Sequence, residues 1–349
     1  YLKLVTLDSN AVGEMAAGGS GGLQGGVRSN TAISIAGQRL EYNHYTLDGA
    51  ENTDPNFNSY VIHPSVDYVQ EFKVQTGVYS AEFGRGASQI NVNTLPGTNV
   101  YHGSVFEFLR NDKLDAKQWR LSGAKNPFRR NNYGFTLGGP VSIPKVFSGR
   151  DRLFFMSNFE AQRDRTTTQM KANIPTPAMR SGDFSATNLG FPKMYDPATR
   201  VFYAGGGGTA DPFPGNKIPA SQIDSAAINL MKYYPDPTYP DILKENFIRN
   251  SRSITDSTQF NQRIDWIENQ KSSWFGRYSW GDDQQDSGGT FYFSGGQVST
   301  RVRQAVLSNT RMLTTSMVND ARFAWNRFQN DYVGYFANKE DIQSTLGIK

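Results

Sequence analysis

Few residues in this chain could do chemistry, and their spacing narrows the field further. There are three His, at 44, 63 and 102, and no Cys. Without Cys there is no disulfide framework, Cys-ligated zinc, iron–sulfur cluster or thiol catalysis. His44, His63 and His102 lie far apart, with no H-E-x-x-H spacing, so a His-built metal site is not expected. The stretch GGSGG at 18–22 has the letters of a nucleophile elbow. That motif needs a strand before Ser20 and a helix after it, and the surrounding glycines support neither, so it reads as a glycine loop. The glycines at 205–208 likewise read as a loop tip in a Pro-rich segment. In DGAENTD, the side chains of Asp48, Glu51 and Asp54 could gather round a hard cation such as Ca²⁺. Their spacing is not that of an EF-hand, and the simpler reading is a turn with solvated acids, Asp48-Gly49 ending a strand. No carboxylate pair stands out for glycoside hydrolysis. The residues suggest no catalytic group, no metal site and no cofactor, hence no enzyme.

Composition removes further classes. Lys and Arg number 36 against 32 Asp and Glu, a net charge of +4 over 349 residues with no basic run, which disfavours nucleic acid as a partner. No apolar stretch approaches the roughly 18 residues of a spanning helix. What remains is a soluble β protein or a β-barrel.

The elements that must position the side chains fall into two textures. The first hundred residues contain a Gly-rich stretch at 16–26, then short strand-like runs at 32–36, 42–47, 72–76 and 89–94, with a short helix possible from Pro64 to Gln70. This is a small mixed α+β unit. From Tyr101 the rule changes to segments of about ten residues with alternating polarity. In 133–143, Tyr133, Phe135, Leu137, Val141 and Ile143 share a face. In 259–268, Phe260, Ile264 and Trp266 oppose Asn261, Arg263 and Asp265. In 273–281, Trp274, Tyr278 and Trp280 oppose Arg277 and Ser279, and in 317–329, Ala321, Phe323 and Trp325 oppose Asp320, Arg322 and Asn326. Weaker cases lie at 101–110, 153–163 and 301–313. About ten tilted residues is also the length with which a β-strand crosses a bilayer. The linkers between these seven strands run roughly 21, 9, 95, 4, 19 and 3 residues, long and short in alternation, which is the pattern of an outer-membrane barrel. Tyr133, Trp266, Trp274 and Trp280, near strand ends, are candidate aromatic girdle residues, against a bland reading as ordinary strand formers.

The segment VDYVQEFKVQTGVYSAEFGRGASQINVNTLP at 66–96 resembles the end of the plug domain of TonB-dependent outer-membrane receptors. The matching residues are Gly77, then Ser80, Ala81, Phe83 and Gly84, then Val92, Asn93 and Thr94. The following GTNVYHGSVFEFLRND, NPFRRNNYGFTLGGPV and DRLFFMSNFEAQR are similar to the first three barrel strands of the Oar-like subgroup, and IPTPAMRSGDFS, YDPATR and GNKIPASQIDSAAINLMKYYP to its first long external loop.

The resemblance implies a mostly β chain: a transmembrane antiparallel β-barrel, represented by about its first seven strands, with a small α+β plug remnant. Residues 1–98 would be the later part of the plug and 99–349 the first part of the barrel, with a long external loop at 164–257. The chain reads as an internal piece. A signal peptide, a carboxypeptidase-regulatory-like domain and the start of the plug, with any TonB box, would precede Tyr1, and most of a barrel of about 22 strands would follow Lys349. The implied function is a receptor and transporter that binds a ligand at its external loops and plug and imports it with energy relayed by TonB. The alternative is a surface adhesion or structural protein without transport. The implied partners are outer-membrane lipid, TonB, and an extracellular ligand such as an oligosaccharide or peptide; GRGASQIN departs from the glycine-rich siderophore-receptor form. Asn52, Asp54, Asn56 and Asn58 are the candidate ligand-facing plug loop. Glu107, Arg263, Asp265, Arg277, Asp320 and Arg322 could line the lumen and pair with plug charges such as Glu71, Lys73, Glu82 and Arg85, against the reading that they only face lumen water. His44, His63 and His102 read as turn, plug and interfacial residues.

Overall fold

The computed structural model describes residues 11–13, 33–35, 37, 42–54, 59–76, 79, 88–117, 119, 125–186 and 190–348. The chain divides into two compact units.

The first unit begins with short strands: β1 (Ala11–Gly13), β2 (Ile33–Ile35), β3 (Asn43–Leu47), β4 (Ala50–Glu51), β5 (Thr53–Asp54), β6 (Ser59–Tyr60), β7 (Val69–Thr76) and β8 (Ser88–Thr94). β4, β3, β8 and β7 form one small sheet, in which β3 and β8 run parallel. The short helix suggested from Pro64 is only a 3-10 turn, Val66–Tyr68, because the β-branched and alternating residues after it go straight into β7. Tyr45, Ile35, Ile90 and Tyr60 form one apolar cluster of this module.

The rest of the first unit is built on the greater part of seven long strands, β9 (His102–Asn111), β10 (Phe128–Pro140), β13 (Leu153–Ala172), β16 (Phe247–Asn269), β17 (Ser272–Ser287), β18 (Gly296–Thr314) and β19 (Met317–Gly334). Two hairpins intervene in the chain, β11 (Ser142–Ile143) with β12 (Phe147–Ser148), and β14 (Val201–Phe202) with β15 (Gly208–Thr209). The seven long strands make one sheet in sequence order, with β9 and β19 at its two edges. Among the described residues it is one sheet and not a two-layer sandwich. Val141 and Ile143 leave the β10 face because the strand stops at Pro140, which has no N–H to offer the ladder.

Long strands alternate with connections of very different length. Turns of two residues, 270–271 and 315–316, join β16 to β17 and β18 to β19, whereas 173–246 separates β13 from β16. That connection is shorter than the expected 164–257. The Thr run at 166–168 and the Ser- and Thr-rich 251–258 extend β13 and β16, as β-branched and small polar residues can on a pleated surface.

Alternation gives the sheet two unlike faces. Asn158, Asn261, Arg277, Gln304 and Asn326 all point at the small module or at each other beneath it. The residues between them, Phe159, Phe260, Tyr278, Leu307 and Trp325 among them, face the other way. On β10 the same outward face carries Tyr133, Phe135 and Leu137, paired in register with Ala161, Phe159 and Ser157. Between module and sheet lies an apolar cluster of Leu47, Val61, Ile62, Val92 and Val302, all fully buried or nearly so.

The second unit comprises 167–252, 288–296 and 334–349. It holds helices at Pro177–Arg180, Ser225–Met231 and Ile342–Leu346. Asn246 pairs through both side-chain atoms with the backbone of Ile174, and Phe291 stacks between Phe247 and Phe293 with Tyr234 edge-on.

Leu47 is wholly buried at the module–sheet cluster. Leu47→Ala should lower stability by about 2–5 kcal/mol through lost contacts and a cavity. A denaturant midpoint unchanged from wild type would show that this cluster does not hold the module in place.

Candidate functional site

Part of the first unit's buried charge lies at one hairpin. Asp48 and Gly49 link β3 to β4, with φ of +52° and +70°. Positive φ at both central positions is the type I′ geometry, and Asp-Gly is one of its preferred sequences. The turn leaves the Asp48 carboxylate buried at the sheet. Arg277 Nε donates to Asp48 Oδ2 at 2.6 Å and Arg263 Nη1 to Oδ1 at 3.3 Å. From the module itself, the Thr94 backbone N–H and hydroxyl donate to Oδ1 at 2.8 and 3.0 Å. The Asp48 side chain is 3% exposed, that of Arg277 0% and that of Arg263 13%.

Arg277 uses its whole fork. Beyond Asp48 it donates to Ser279 Oγ and Gln304 Oε1, each at 2.6 Å, and to the Leu47 carbonyl at 3.3 Å. Arg263 is held from the other side by Asp265, at 2.8 Å, and stacks over Phe275. Two carbonyls of the hairpin are also taken by the sheet. The Glu51 carbonyl accepts from Gln304 Nε2 at 3.1 Å and Asn326 Nδ2 at 2.8 Å, and the Gly49 carbonyl from Arg322 Nη1 at 3.2 Å. A Cβ on Gly49 would lie 1.9 Å from Arg322 Nη1, so close approach and backbone conformation both require glycine. Hairpin residues 47–51 thus dock on β16, β17, β18 and β19.

On the β3–β4 hairpin, His44 Nδ1 meets Gln89 Oε1 at 2.5 Å and His44 Nε2 meets Glu51 Oε2 at 2.7 Å. Burial alone would raise the Glu51 carboxyl, but hydrogen bonds from His44 and Thr53 outweigh it and hold the pKa down to about 2. Tyr68, fully buried beside the Asp48 cluster, has its phenol pushed well up, by burial first.

Several sequence expectations change here. Asp48 and Asp54 are not solvated turn acids: both are buried, Asp48 because two arginines compensate its charge. Asn52 does not face a ligand. It is 3% exposed and clasps the Ile62 backbone through both side-chain atoms, at 2.9 Å each. Asp54 is 0% exposed. His44 lies in β3 rather than in a turn, because its neighbours alternate into the core. Glu107 does not share the face of Arg277. It stands opposite Tyr133 in the β9–β10 register, on the outward face, because alternation from Ser104 and Thr136 fixes it there. Glu71 and Lys73 are exposed on β7, Glu71 accepting from Asn93. Asp320 lies 3.7 Å from Arg322. Asn56, Asn58, Glu82 and Arg85, with the 18–22 glycines and the plug-like Gly77, Ser80, Ala81, Phe83 and Gly84, lie outside the described residues. Trp266 pairs in register with Trp274 next to the two-residue turn, Trp274 donating to Glu268, while Trp280 and Tyr133 lie farther along their strands.

The partner that sequence reasoning missed is Asp48. The signal available was its place in Asp-Gly between a strand and a short second strand, which points the carboxylate outward from the tip; what it meets is 215 and 229 residues away in sequence.

Two outcomes follow. Asp48→Leu strands Arg277 without its carboxylate and should cost about 3–5 kcal/mol, whereas the double change Asp48→Leu with Arg277→Met should recover much of it, read as denaturant midpoints in a mutant cycle with Arg277→Met as the other single change. If the double change is no better than the sum, the pair is not coupled. For Glu51, the folded pKa lies below the ordinary 4.5, so its contribution is complete above that value and fades as pH falls towards about 2. His44→Gln should flatten that acid limb of the thermal midpoint; an unchanged limb would assign it to other carboxylates.

The TonB-dependent transporter Oar of Myxococcus xanthus is 33% identical over 143 residues, which cover 39% of this chain and 13% of that protein. The chain therefore matches only a small part of that relative's length. Among solved structures, a ferric enterobactin receptor of Pseudomonas aeruginosa aligns over 85% of this chain and 34% of its own, with 12% identity and a TM-score of 0.44. The ferric preacinetobactin receptor of Acinetobacter baumannii aligns over 86% and 41%, with 10% identity and a TM-score of 0.37. Residues 93–349, carrying all seven long strands, match the outer membrane beta barrel domain model, so the chain belongs to that family and its place is the bacterial outer membrane.

Proposed function

We propose that this chain is the later plug and the first part of the barrel of an Oar-like TonB-dependent receptor and transporter. Residues 1–98 are the plug portion and 99–349 the barrel portion. Ligand binds at the external loops and plug, and TonB supplies the energy that moves the plug for import. The observation that carries this reading is the docking of the hairpin 47–51 on one face of the sheet. A small module, preceding the barrel strands in sequence, sits on the polar face through one buried carboxylate, two carbonyls and a limited apolar cluster. Hydrogen bonds of this kind contribute about 0.5–1.5 kcal/mol each between neutral groups and about 1.5–3 kcal/mol where one group is charged, so the attachment is firm as a set but can yield stepwise to a pull. Arg263, Arg277 and Arg322 hold the plug from the wall, and Asp265 and Asp320 orient Arg263 and Arg322.

The opposite face supplies the lipid contact. Tyr133 and Trp280 mark one rim of its apolar band and Trp266 and Trp274 the other, as an aromatic girdle does. The ligand is an oligosaccharide or peptide, taken up by polar and aromatic residues of 173–246. Imported energy fits a chain without a nucleotide-binding loop.

The test uses the full-length parent protein with its own N-terminus. Ser65 is 5% exposed and accepts from Asn158 at 2.7 Å, and the chain has no Cys of its own. Ser65→Cys should react with a maleimide in energised cells that have TonB and stay protected in cells that lack it. Equal protection in both would remove transport and leave the adhesion protein as the reading. A protein that fails to float with outer membranes would remove both.

A further inference from the structure

A polar cavity of about 180 Å³ lies between the small module and the wall, within the first unit. Tyr60 and His63 line it from the module, and Glu160 and Gln162 of β13, Gln259 of β16 and Asp283 of β17 from the wall. Glu160 and Gln259 are the next inward-facing positions after Asn158 and Asn261, on the side away from the turn at 270–271. The rings of Tyr60 and His63 lie 4.7 Å apart and give the cavity an aromatic side. Pockets for whole small molecules run to roughly 300–1,000 Å³, so this one takes a single group of a larger ligand.

Hydrogen bonding on the wall leaves oxygen rather than N–H for an occupant. Asn132 Nδ2 donates to Glu160 Oε1 at 3.0 Å and Gln259 Nε2 to Glu160 Oε2 at 3.1 Å. Gln162 Nε2 donates to Asp164 Oδ2 at 3.0 Å, and the Ser257 hydroxyl to Asp283 Oδ1. Each of these side chains has turned a donor onto an acceptor of the protein. Among the described residues, Gln162 Oε1 and Gln259 Oε1 accept nothing. Asn132 Oδ1 and, next inward after Asp283, Gln285 Oε1 are buried without a partner. One inward position deeper on β16, Asn261 is wholly buried and its Oδ1 is also unpartnered. Buried acceptors left in this way cost free energy until a donor reaches them. Glu160 makes no ion pair, and no Lys or Arg lines the cavity, among the described residues.

The occupant must therefore bring donors and positive charge. A sugar hydroxyl brings an acceptor with each donor, and the wall has committed donors of its own elsewhere. A guanidinium fork makes two parallel bonds to one carboxylate, but both Glu160 oxygens already take an amide N–H. An ammonium, with three rotatable donors and no acceptor, matches the set, and its methylene stem can lie along the rings of Tyr60 and His63. We propose that this cavity binds the ammonium group of a peptide, on a lysine side chain or at the N-terminus, between Glu160, Asp283 and the carboxamide oxygens beside them. The inference rests on the proposed function, in which ligand meets module and wall together, and it narrows that ligand to a cationic peptide.

The experiment uses the full-length protein in neutral detergent and calorimetric titration. The probes are an acetylated and amidated glycine tripeptide with lysine at its centre, the same peptide with norleucine, amidated triglycine with a free N-terminus, and maltotriose. The lysine peptide should bind saturably and the norleucine peptide should not. Saturable binding of triglycine as well extends the site to an N-terminus, and binding of triglycine alone assigns it there. Glu160→Gln and Asp283→Asn should each weaken binding of the amine probe by about tenfold. Ser257→Ala, which returns an Asp283 oxygen to the cavity, should bind it at least as tightly as wild type. Those opposite responses separate a site from a loss of structure. Equal loss in all three variants, undiminished binding by both carboxylate variants, or equal binding of the norleucine peptide overturns the proposal. So does the absence of binding by both amine probes, or saturable binding of maltotriose that Glu160→Gln removes. The Ser65→Cys labelling is read separately. TonB-dependent labelling without amine binding leaves transport and removes the cationic peptide, whereas amine binding without such labelling leaves the site and removes transport.

Discussion

The buried pair of Asp48 and Arg277 is the interaction on which the rest of the first unit turns. Neither side chain could be where it is without the other, since a lone buried charge costs several kcal/mol. The carboxylate satisfies Arg277, and Arg277 then uses its remaining N–H groups to fix Ser279, Gln304 and the Leu47 carbonyl. Gln304, so oriented, turns its amide to the Glu51 carbonyl. One carboxylate thereby sets the register between hairpin and wall over three residues of the hairpin. The left-handed Asp-Gly turn is the local condition for this, and Gly49 is the residue that lets Arg322 come close.

A second constraint is that the wall must present two solvents to its two faces. The period of two along each strand puts Arg263, Arg277 and Asn326 toward the module and Trp266, Tyr278 and Trp325 away from it, with no change in backbone geometry. The polar face is compatible with a module that docks through hydrogen bonds. An apolar wall would have fused with the module into one core, and separation would then expose all that area to water at roughly 25 cal/mol per Å². The cluster of Leu47, Ile62, Val92 and Val302 keeps some of that glue, and the arginines and carboxamides supply the specificity.

The wall was readable in the sequence because its signal is local. Phe260, Ile264 and Trp266 against Asn261, Arg263 and Asp265 announce a two-faced strand within eight residues, and alternating long and short linkers announce the order of the strands. The short strands of the module were readable for the same reason. What local pattern could not give was the partner of Arg277. Glu71 and Lys73 carry the same charges as any partner would, yet they are exposed on β7, while Asp48 hides in a dipeptide whose usual meaning is a solvent-exposed turn. Asn52 is a similar case: an Asn in a loop looks ready for a ligand, and only the fold shows both of its side-chain atoms clasping Ile62. The face of Glu107 is not legible because His102 to Asn111 alternates weakly, with Phe106 and Phe108 on the face where the other strands carry polar residues.

The edges complete the physical argument. β9 and β19 each pair on one side only among the described residues, and β19 is exposed along nearly its whole length. In water such edges invite association, and in hydrocarbon each unpaired N–H or C=O costs several kcal/mol, so an open sheet of this kind is not viable within a bilayer. A sheet whose outward face carries Phe135, Phe159, Trp280 and Phe323 must meet lipid, and a sheet that meets lipid must have both edges paired. Those two requirements together make closure a condition of the fold. The docked module then does more than occupy the polar side: by tying the hairpin 47–51 to β16, β17, β18 and β19, it gives these strands a fixed set of partners on one face, in the region farthest from the β9 edge.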